Sequence, residues 1–200
     1  MLDSSPARSY ALDRYAQLVY SKTSINENNR NMNNIEDKIQ EASETGFLLL
    51  NNLGLIEIPK EIFNLNNLEI LILSNDEFHG KRFNKISVIP DKIKELKNLK
   101  ILDLRKNQIK EITLNLVECD QLQNLEAALE TVKTKKEEAI NNQYYELAAD
   151  MRELVSILNL RYERNQKDWG VILDDNPLET PPMKIVKKGF GAIRKYFEIN

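Results

Sequence analysis

Few side chains of this 200-residue chain could do chemistry: one cysteine, Cys119, one histidine, His79, and neighbouring carboxylates such as Glu137 and Glu138. A thiol nucleophile needs a base nearby, and the histidine lies in a distant segment. One cysteine and one histidine cannot supply a recognisable zinc ligand set, and adjacent carboxylates of this kind are typical of a helix surface. No GxxxxGK[ST] or GxSxG motif is present in the sequence. We therefore predict a buried structural thiol, no metal or cofactor, and no enzymatic activity.

Composition narrows the class of protein. Hydrophobic residues make up 42% of the chain, enough to bury a core, and the formal net charge is −3. Binders of nucleic acid or anionic membrane normally carry a basic excess, so neither is expected as a partner. No apolar run approaches the roughly 18 to 20 residues of a membrane span, and the N-terminus shows no secretory signal. A lone cysteine cannot form an internal disulfide, which favours a cytoplasmic location.

One sequence phrase recurs four times, most clearly as LxxLxLxxNxIxxI. Its copies contain Leu48, Leu50, Leu53, Leu55 and Ile58; Leu68, Leu71, Leu73, Asp76 and Phe78, resuming after an insertion at Ile86 and Ile89; Leu99, Leu102, Leu104, Asn107, Ile109 and Ile112; and Val171, Leu173, Asn176 and Leu178. The LxL part predicts a short strand with alternate side chains pointing inward, and the asparagine predicts a turn. A single copy cannot bury its apolar face alone, so stacked copies must share one core.

Residues 45–113 and 168–197 resemble intracellular leucine-rich repeats, and the closing segment resembles the end of repeat arrays in bacterial and Roco-type proteins. The matching closing positions are Asn176, Pro177, Leu178, Pro181, Pro182, Gly189, Ala192, Ile193 and Tyr196. The resemblance implies an α/β fold: a short leucine-rich-repeat solenoid with a parallel β-sheet and helical caps. Roco-type proteins also carry a GTPase domain, but the phosphate loop is missing here, so GTPase activity is not expected.

Two segments interrupt the copies. Residues 77–85 form a short insertion containing His79, Lys81 and Arg82, which is either a solvated loop or a binding loop. After Ile112 the register fails for about fifty residues. Apolar side chains at helical spacing on both sides of a polar break at residues 141–143 predict two helices joined by a short turn, an antiparallel α-hairpin.

Residues 135–154 resemble the UVR motif, a helical hairpin of excision-repair proteins and of some Clp-type chaperone ATPases and their adaptors. The matching positions are Ala139, Ile140, Gln143, Tyr145, Glu146, Ala148, Ala149 and Arg152; Tyr145 stands where Phe is usual, and Glu153 where Asp commonly follows the arginine. The resemblance implies protein binding, including pairing with a second hairpin, through Gln143, Tyr144, Tyr145, Glu146 and Arg152. The acidic character of these helices disfavours DNA binding. A generic Ala-, Glu- and Lys-rich hairpin is the alternative.

If the LxL leucines point inward, the residues between them form three rows on the concave face of the sheet. The rows are Phe47, Ile70, Ile101 and Gly170; Leu49, Ile72, Asp103 and Ile172; and Asn51, Ser74, Arg105 and Asp174. The first two rows are largely apolar, which is typical of an interface or of a covered surface. A partner protein would cover them. The alternatives are an N-terminal helix with a stripe at Tyr10, Leu12, Tyr15, Leu18 and Val19, or a wrong strand direction.

The sequence thus predicts four segments: an N-terminal helical segment with a polar link at 23–34 (residues 1–44), leucine-rich repeats (45–118), an inserted UVR-like hairpin (119–167), and a final repeat with a capping helix (168–200). The predicted function is a non-catalytic adaptor that binds protein through the concave face and the hairpin. The alternative is a regulatory subunit of a Clp-type proteolytic or DNA-repair machine, engaged through the hairpin.

Overall fold

Four short strands, one from each copy of the repeated phrase, form a parallel sheet. The computed structural model describes residues 27–75, 82–141, 145–163 and 169–199. The strands are β1 (Phe47–Leu49), β2 (Ile70–Ile72), β3 (Ile101–Asp103) and β4 (Val171–Ile172). They pair in chain order, β1-β2-β3-β4, all parallel. The prediction of an α/β fold with a parallel sheet is confirmed.

Six helices and three 3-10 turns accompany the sheet in the described ranges. The helices are α1 (Glu27–Thr45), α2 (Leu114–Val117), α3 (Leu125–Asn141), α4 (Tyr145–Glu163), α5 (Met183–Val186) and α6 (Phe190–Ile199). The 3-10 turns lie at Lys60–Asn64, Asp91–Glu95 and Asp120–Gln123. The chain divides into two compact units, Met1–Ile35 and Glu36–Asn200. The sheet, α3 and α4 all belong to the second unit.

The pairing register follows the repeated phrase. Leu48 pairs with Leu71, Leu71 with Leu102, and Leu102 with Val171, so equivalent positions of the copies lie side by side. The side chains predicted to point inward are buried: Leu48, Leu50, Leu71, Leu73, Leu102, Leu104, Val171 and Leu173. Identical spacing in each copy puts an apolar side chain above an apolar side chain, and this stacking fixes the register of the strands.

Three asparagine side chains tie the ends of neighbouring strands together. The Asn107 Nδ2 donates to the carbonyls of Leu73 (2.9 Å) and Leu104 (3.1 Å), and its Oδ1 accepts from the Ile86 N–H (3.1 Å). Two further bridges join Asn84 to Leu50 and Leu73, and Asn176 to Leu104 and Leu173. Each asparagine side chain forms hydrogen bonds with buried backbone groups of two copies. The asparagines therefore hold neighbouring copies together.

The second copy takes its asparagine from Asn84, whereas the sequence places the turn residue at Asp76, which lies outside the described residues. The insertion therefore falls between Leu73 and Asn84. Asn75 and Asn84 are hydrogen-bonded to each other at the two ends of the insertion. The Asn75 Oδ1 accepts from the Asn84 N–H (2.7 Å), and the Asn75 Nδ2 donates to the Asn84 carbonyl (2.8 Å). The sequence points to Asp76 because Asp76 has the expected spacing from Leu73. Spacing alone does not show which side chain forms hydrogen bonds with the neighbouring copy.

We expect Asn107→Ala to lower the free energy of unfolding by about 3 kcal/mol, since each buried backbone group left without a partner costs about 1–3 kcal/mol. The matched control is Asn98→Ala, which removes one exposed hydrogen bond to the Asn66 carbonyl (2.7 Å). That variant should lose about 1 kcal/mol or less. Urea unfolding followed by circular dichroism measures both, and equal losses would contradict the bridging role of Asn107.

Helix α1 includes residues that the sequence predicts to be a flexible link. Residues 27–34 of that stretch are helical, and residues 23–26 lie outside the described part. Asparagine has a low helix propensity, but adding residues to a helix that has already formed costs little free energy. The asparagines of residues 27–34 therefore continue the helix that the following residues form. The helix ends at Gly46, whose φ is +71° and whose N–H bonds to the Ala42 carbonyl (2.9 Å), a usual glycine cap. Asn67 also donates to the Ser43 carbonyl (2.7 Å), which ties the end of α1 to the first copy.

Candidate functional site

The first two rows of the concave face, predicted to be a solvent-facing protein-binding surface, are buried. The buried residues are Phe47, Leu49, Ile70, Ile72, Ile101, Asp103 and Ile172. Their apolar members share one cluster with side chains of α3 and α4: Leu125, Ala128, Leu129, Val132, Met151, Leu154 and Leu158. The prediction of an exposed surface is therefore wrong for these rows, because α3 and α4 cover them. The N-terminal stripe at residues 10–19 lies outside the described residues.

The spacing of apolar residues explains why these helices lie on the sheet. In α3, Leu125, Leu129 and Val132 recur at intervals of three and four and form one stripe. Met151, Leu154 and Leu158 form the equivalent stripe of α4, and all three are buried. Each fully buried aliphatic side chain contributes about 1.5–3 kcal/mol, so covering the two apolar rows is strongly favoured over leaving them in water.

Polar contacts hold the helices at the two ends of the inner strand β3. The Lys100 Nζ lies 3.2 Å from the Thr131 Oγ1 of α3 and 3.4 Å from the Glu69 carboxylate. Beyond the carboxyl end of β3, the Arg105 Nη2 lies 3.8 Å from the Glu153 Oε1 of α4. These contacts flank the apolar cluster and orient the helices across the strands.

The third row stays partly open at the ends of the strands. Asp103 is fully buried, and its carboxylate accepts from the Arg105 Nη2 (2.7 Å) and Nε (3.0 Å). Burial by itself would lower the pKa of the Arg105 guanidinium, but the hydrogen bonds and charge of Asp103, with the charges of Glu153 and Asp174, outweigh it and raise that pKa. Arg105 is therefore a permanent cation that compensates a buried carboxylate.

The residues implied by the UVR resemblance are described only in part. Gln143, Tyr144 and the side chain of Glu146 lie outside the described part of the chain. Tyr145 begins α4 with 59% of its surface exposed, and Arg152 is also exposed. Ile140, in the last turn of α3, is 43% exposed; the sequence analysis includes it among the UVR-like positions but not among the predicted contact residues. The adjoining ends of α3 and α4 thus present two large apolar side chains to solvent.

Cys119, the single cysteine of the sequence, is buried. Burial raises the pKa of its thiol to about 11, and its Sγ lies 3.3 Å from the Asn115 carbonyl, as a donor would. At neutral pH the thiol is protonated, as expected of a structural cysteine. His79 lies outside the described ranges, and within them no group of three or more His, Cys, Asp or Glu could hold a metal ion.

No protein-family model matches the chain, and no curated protein sequence matches it. None of the helices in the described ranges is long and apolar enough to cross a bilayer.

Proposed function

We propose that this chain is a non-catalytic protein-binding module: a short leucine-rich-repeat solenoid with an antiparallel α-hairpin folded onto its concave face. It engages a partner through the exposed end of that hairpin. We call this surface the hairpin tip and define it by Ile140, Tyr145, Ala149 and Arg152. The observation that carries the proposal is that the concave face is already satisfied by α3 and α4, whereas the hairpin tip exposes large apolar side chains.

The composition of the hairpin tip is typical of a protein interface. Tyr145, Ala149 and Arg152 are spaced by four and three residues along α4 and are all exposed, so they lie on one helix face. Tyrosine and arginine are the residue types that most often dominate binding energy at interfaces. Ile140, in the last turn of α3, adds an exposed aliphatic side chain. A docked partner would remove these apolar surfaces from water.

The repeat interpretation and the location rest on separate observations. Equal register of the four strands and the three asparagine bridges support a leucine-rich-repeat solenoid. A single cysteine cannot form an internal disulfide, and on this composition we propose a reducing compartment, the cytoplasm, as the location. The net charge of −3 does not favour direct binding to nucleic acid.

A second candidate function is that of a regulatory subunit of a Clp-type proteolytic or DNA-repair machine. Tyr145 and Arg152, two positions of the UVR resemblance, are both exposed and therefore open to contact such a machine or a second hairpin. The identity of the captured protein discriminates this role from that of a general adaptor. Self-association through the hairpin tip would appear as a concentration-dependent mass in sedimentation.

The test is affinity capture from host lysate with the intact chain and the variant Ile140→Ala/Tyr145→Ala. The captured protein is then purified and its affinity for each variant measured. We expect at least about a thirtyfold loss of affinity, the usual effect of removing an interface hot spot. Deleting residues 120–165 is a less specific test than the double substitution. The deletion removes α3 and α4, so it would uncover the apolar concave face and promote aggregation.

The matched control is Ile56→Ala/Val88→Ala, which removes two exposed aliphatic side chains from the repeats. Its affinity should equal that of the unaltered chain. Equal loss in both variants would mean nonspecific apolar binding, and an unchanged affinity of the Ile140→Ala/Tyr145→Ala variant would exclude the hairpin tip as the interface.

A further inference from the structure

The described end of the short insertion, residues 82–85, presents two cations and an aromatic ring to solvent. We call it the insertion-end surface and define it by Arg82, Phe83 and Lys85. Arg82 and Lys85 are exposed, and Phe83 is 46% exposed. The sequence leaves open whether the insertion is a solvated loop or a binding loop, and the geometry of these residues bears on that choice.

The backbone of the insertion-end surface is fixed by Asn84. Asn84 is 2% exposed, and its Oδ1 accepts from the N–H groups of Leu53 (3.1 Å) and Leu55 (2.9 Å). The Lys85 N–H donates to the Leu55 carbonyl (2.6 Å). Phe83 and Lys85 flank Asn84 in the chain, so the first copy of the repeat holds them in place. A surface whose backbone is already ordered loses less conformational entropy when it binds a ligand.

Gly54 of the first copy positions the Arg82 side chain. A Cβ at Gly54 would lie 3.4 Å from the Arg82 Nε and 3.5 Å from the Arg82 Cβ, so the arginine stem lies along the bare backbone of the glycine. Gly54 has a φ of +74°, a conformation that residues with a Cβ rarely adopt. The stem of Arg82 is thereby packed while its charged head stays in solvent.

The cations of the insertion-end surface have no counter-ion. Residues 82–85 contain no carboxylate. In the part of the chain that the structure describes, no carboxylate forms an ion pair with Arg82 or Lys85. Lys110, which is also exposed, differs in this respect because its Nζ lies 3.1 Å from the Glu179 carboxylate. Two fixed cations without a counter-ion attract an anionic group.

The groups present favour a carboxylate of a protein over the phosphates of a nucleic acid. A guanidinium forms two parallel hydrogen bonds with a carboxylate, and an exposed phenylalanine ring offers apolar contact to a neighbouring side chain. Affinity for nucleic acid depends on the number of phosphates that are neutralised. Two cations on a chain with a net charge of −3 neutralise few phosphates.

We propose that the insertion-end surface binds an acidic segment of a protein partner. One carboxylate of the segment accepts hydrogen bonds from the Arg82 guanidinium, and a second carboxylate lies beside the Lys85 ammonium. An aliphatic side chain of the same segment packs on the Phe83 ring. This site goes beyond the proposed function, because it belongs to the repeats and does not depend on the hairpin tip.

The test is an NMR titration of the full chain with a blocked pentapeptide that has one leucine between two pairs of glutamates. Its analogue with glutamines keeps the shape and loses the charge. A peptide of this size binds with a dissociation constant on the order of 1 mM. We expect saturable shifts of the Gly54, Phe83 and Lys85 amides and about tenfold weaker binding of the glutamine analogue, since two ion pairs are lost.

Arg82→Gln/Lys85→Gln should weaken binding of the glutamate peptide by the same factor, about tenfold. The matched control is Lys60→Gln/Lys92→Gln, which also removes two exposed cations from the repeats. At physiological salt the charges of Lys60 and Lys92 are screened from a ligand bound elsewhere, so the affinity of this control should stay within about twofold.

Absence of saturable shifts, equal binding of the glutamine analogue, or equal losses in the two double variants would each overturn the proposal. Tighter binding of an octauridylate than of the glutamate peptide would assign the surface to nucleic acid and would overturn it as well. The hairpin tip is tested separately, by the loss of partner affinity in Ile140→Ala/Tyr145→Ala. Either site can therefore fail while the other stands.

Discussion

Replacing Ile72 by glutamate is expected to unfold the protein or to lower its free energy of unfolding by more than about 4 kcal/mol. Ile72 is 5% exposed and lies in the apolar cluster between the sheet and the helices α3 and α4. A carboxylate at this position would have to be buried without a counter-ion, or the helices would have to leave the sheet. Urea unfolding monitored by circular dichroism and the fraction of soluble protein both report this loss.

The matched control is the same substitution at an exposed position, Ile56→Glu. Ile56 is 72% exposed, so its replacement should change the free energy of unfolding by no more than about 0.5 kcal/mol. If Ile72→Glu instead folds with the stability of the unaltered chain, then α3 and α4 do not cover the concave face in solution. In that case the concave face would again be open to a partner.

Replacing Gly170 by alanine is expected to lower the free energy of unfolding by about 3 kcal/mol. A Cβ at this position would lie 2.0 Å from the Lys100 carbonyl oxygen, so β4 would have to move away from β3. The Gly170 N–H donates to the Leu122 carbonyl (2.6 Å), and the Gly170 carbonyl accepts from the Leu102 N–H (3.0 Å). A shift of the strand would therefore weaken hydrogen bonds on both sides, and it would disturb the apolar cluster above.

Gly191→Ala is the control for this experiment. Gly191 lies in helix α6, and a Cβ there would meet no atom within 4 Å. Alanine is favoured over glycine in a helix by up to about 1 kcal/mol, so this variant should be as stable as the unaltered chain or slightly more stable. Thermal and urea unfolding of the two variants compare them directly, and equal stability of both would show that β4 is free to shift.

The covered concave face changes where binding is expected. A bare apolar sheet would present a broad hydrophobic surface, whereas α3 and α4 cover the first two rows in the described part of the chain. We therefore expect a partner to bind at the hairpin tip, where Ile140 and Tyr145 are exposed. Asp103 is fully buried at the end of β3, where its carboxylate is paired with the partly buried guanidinium of Arg105.

The sequence by itself determined the strands and the two helices of the insertion, because short periodicities govern them. The spacing of the LxL pairs, with Val171 and Leu173 in the fourth copy, predicts the four strands and their inward side chains, and the asparagines at 107 and 176 lie where the structure uses them. The helical spacing of apolar residues likewise predicts α3 and α4 on either side of the polar break. Each of these inferences depends on neighbours within one or two turns or one strand, and such neighbours are visible in the chain.

Only the tertiary structure decided how the apolar surfaces are matched. The apolar rows of the sheet that begin with Phe47 and Leu49 must be buried, and so must the apolar stripes of α3 and α4. The hydrophobic effect is not directional, so the sequence does not show which of these surfaces pack against each other. For the same reason the burial of Asp103 and its pairing with Arg105 could not be predicted. The role of Asn84 also depends on a hydrogen bond across an insertion, which no local pattern specifies.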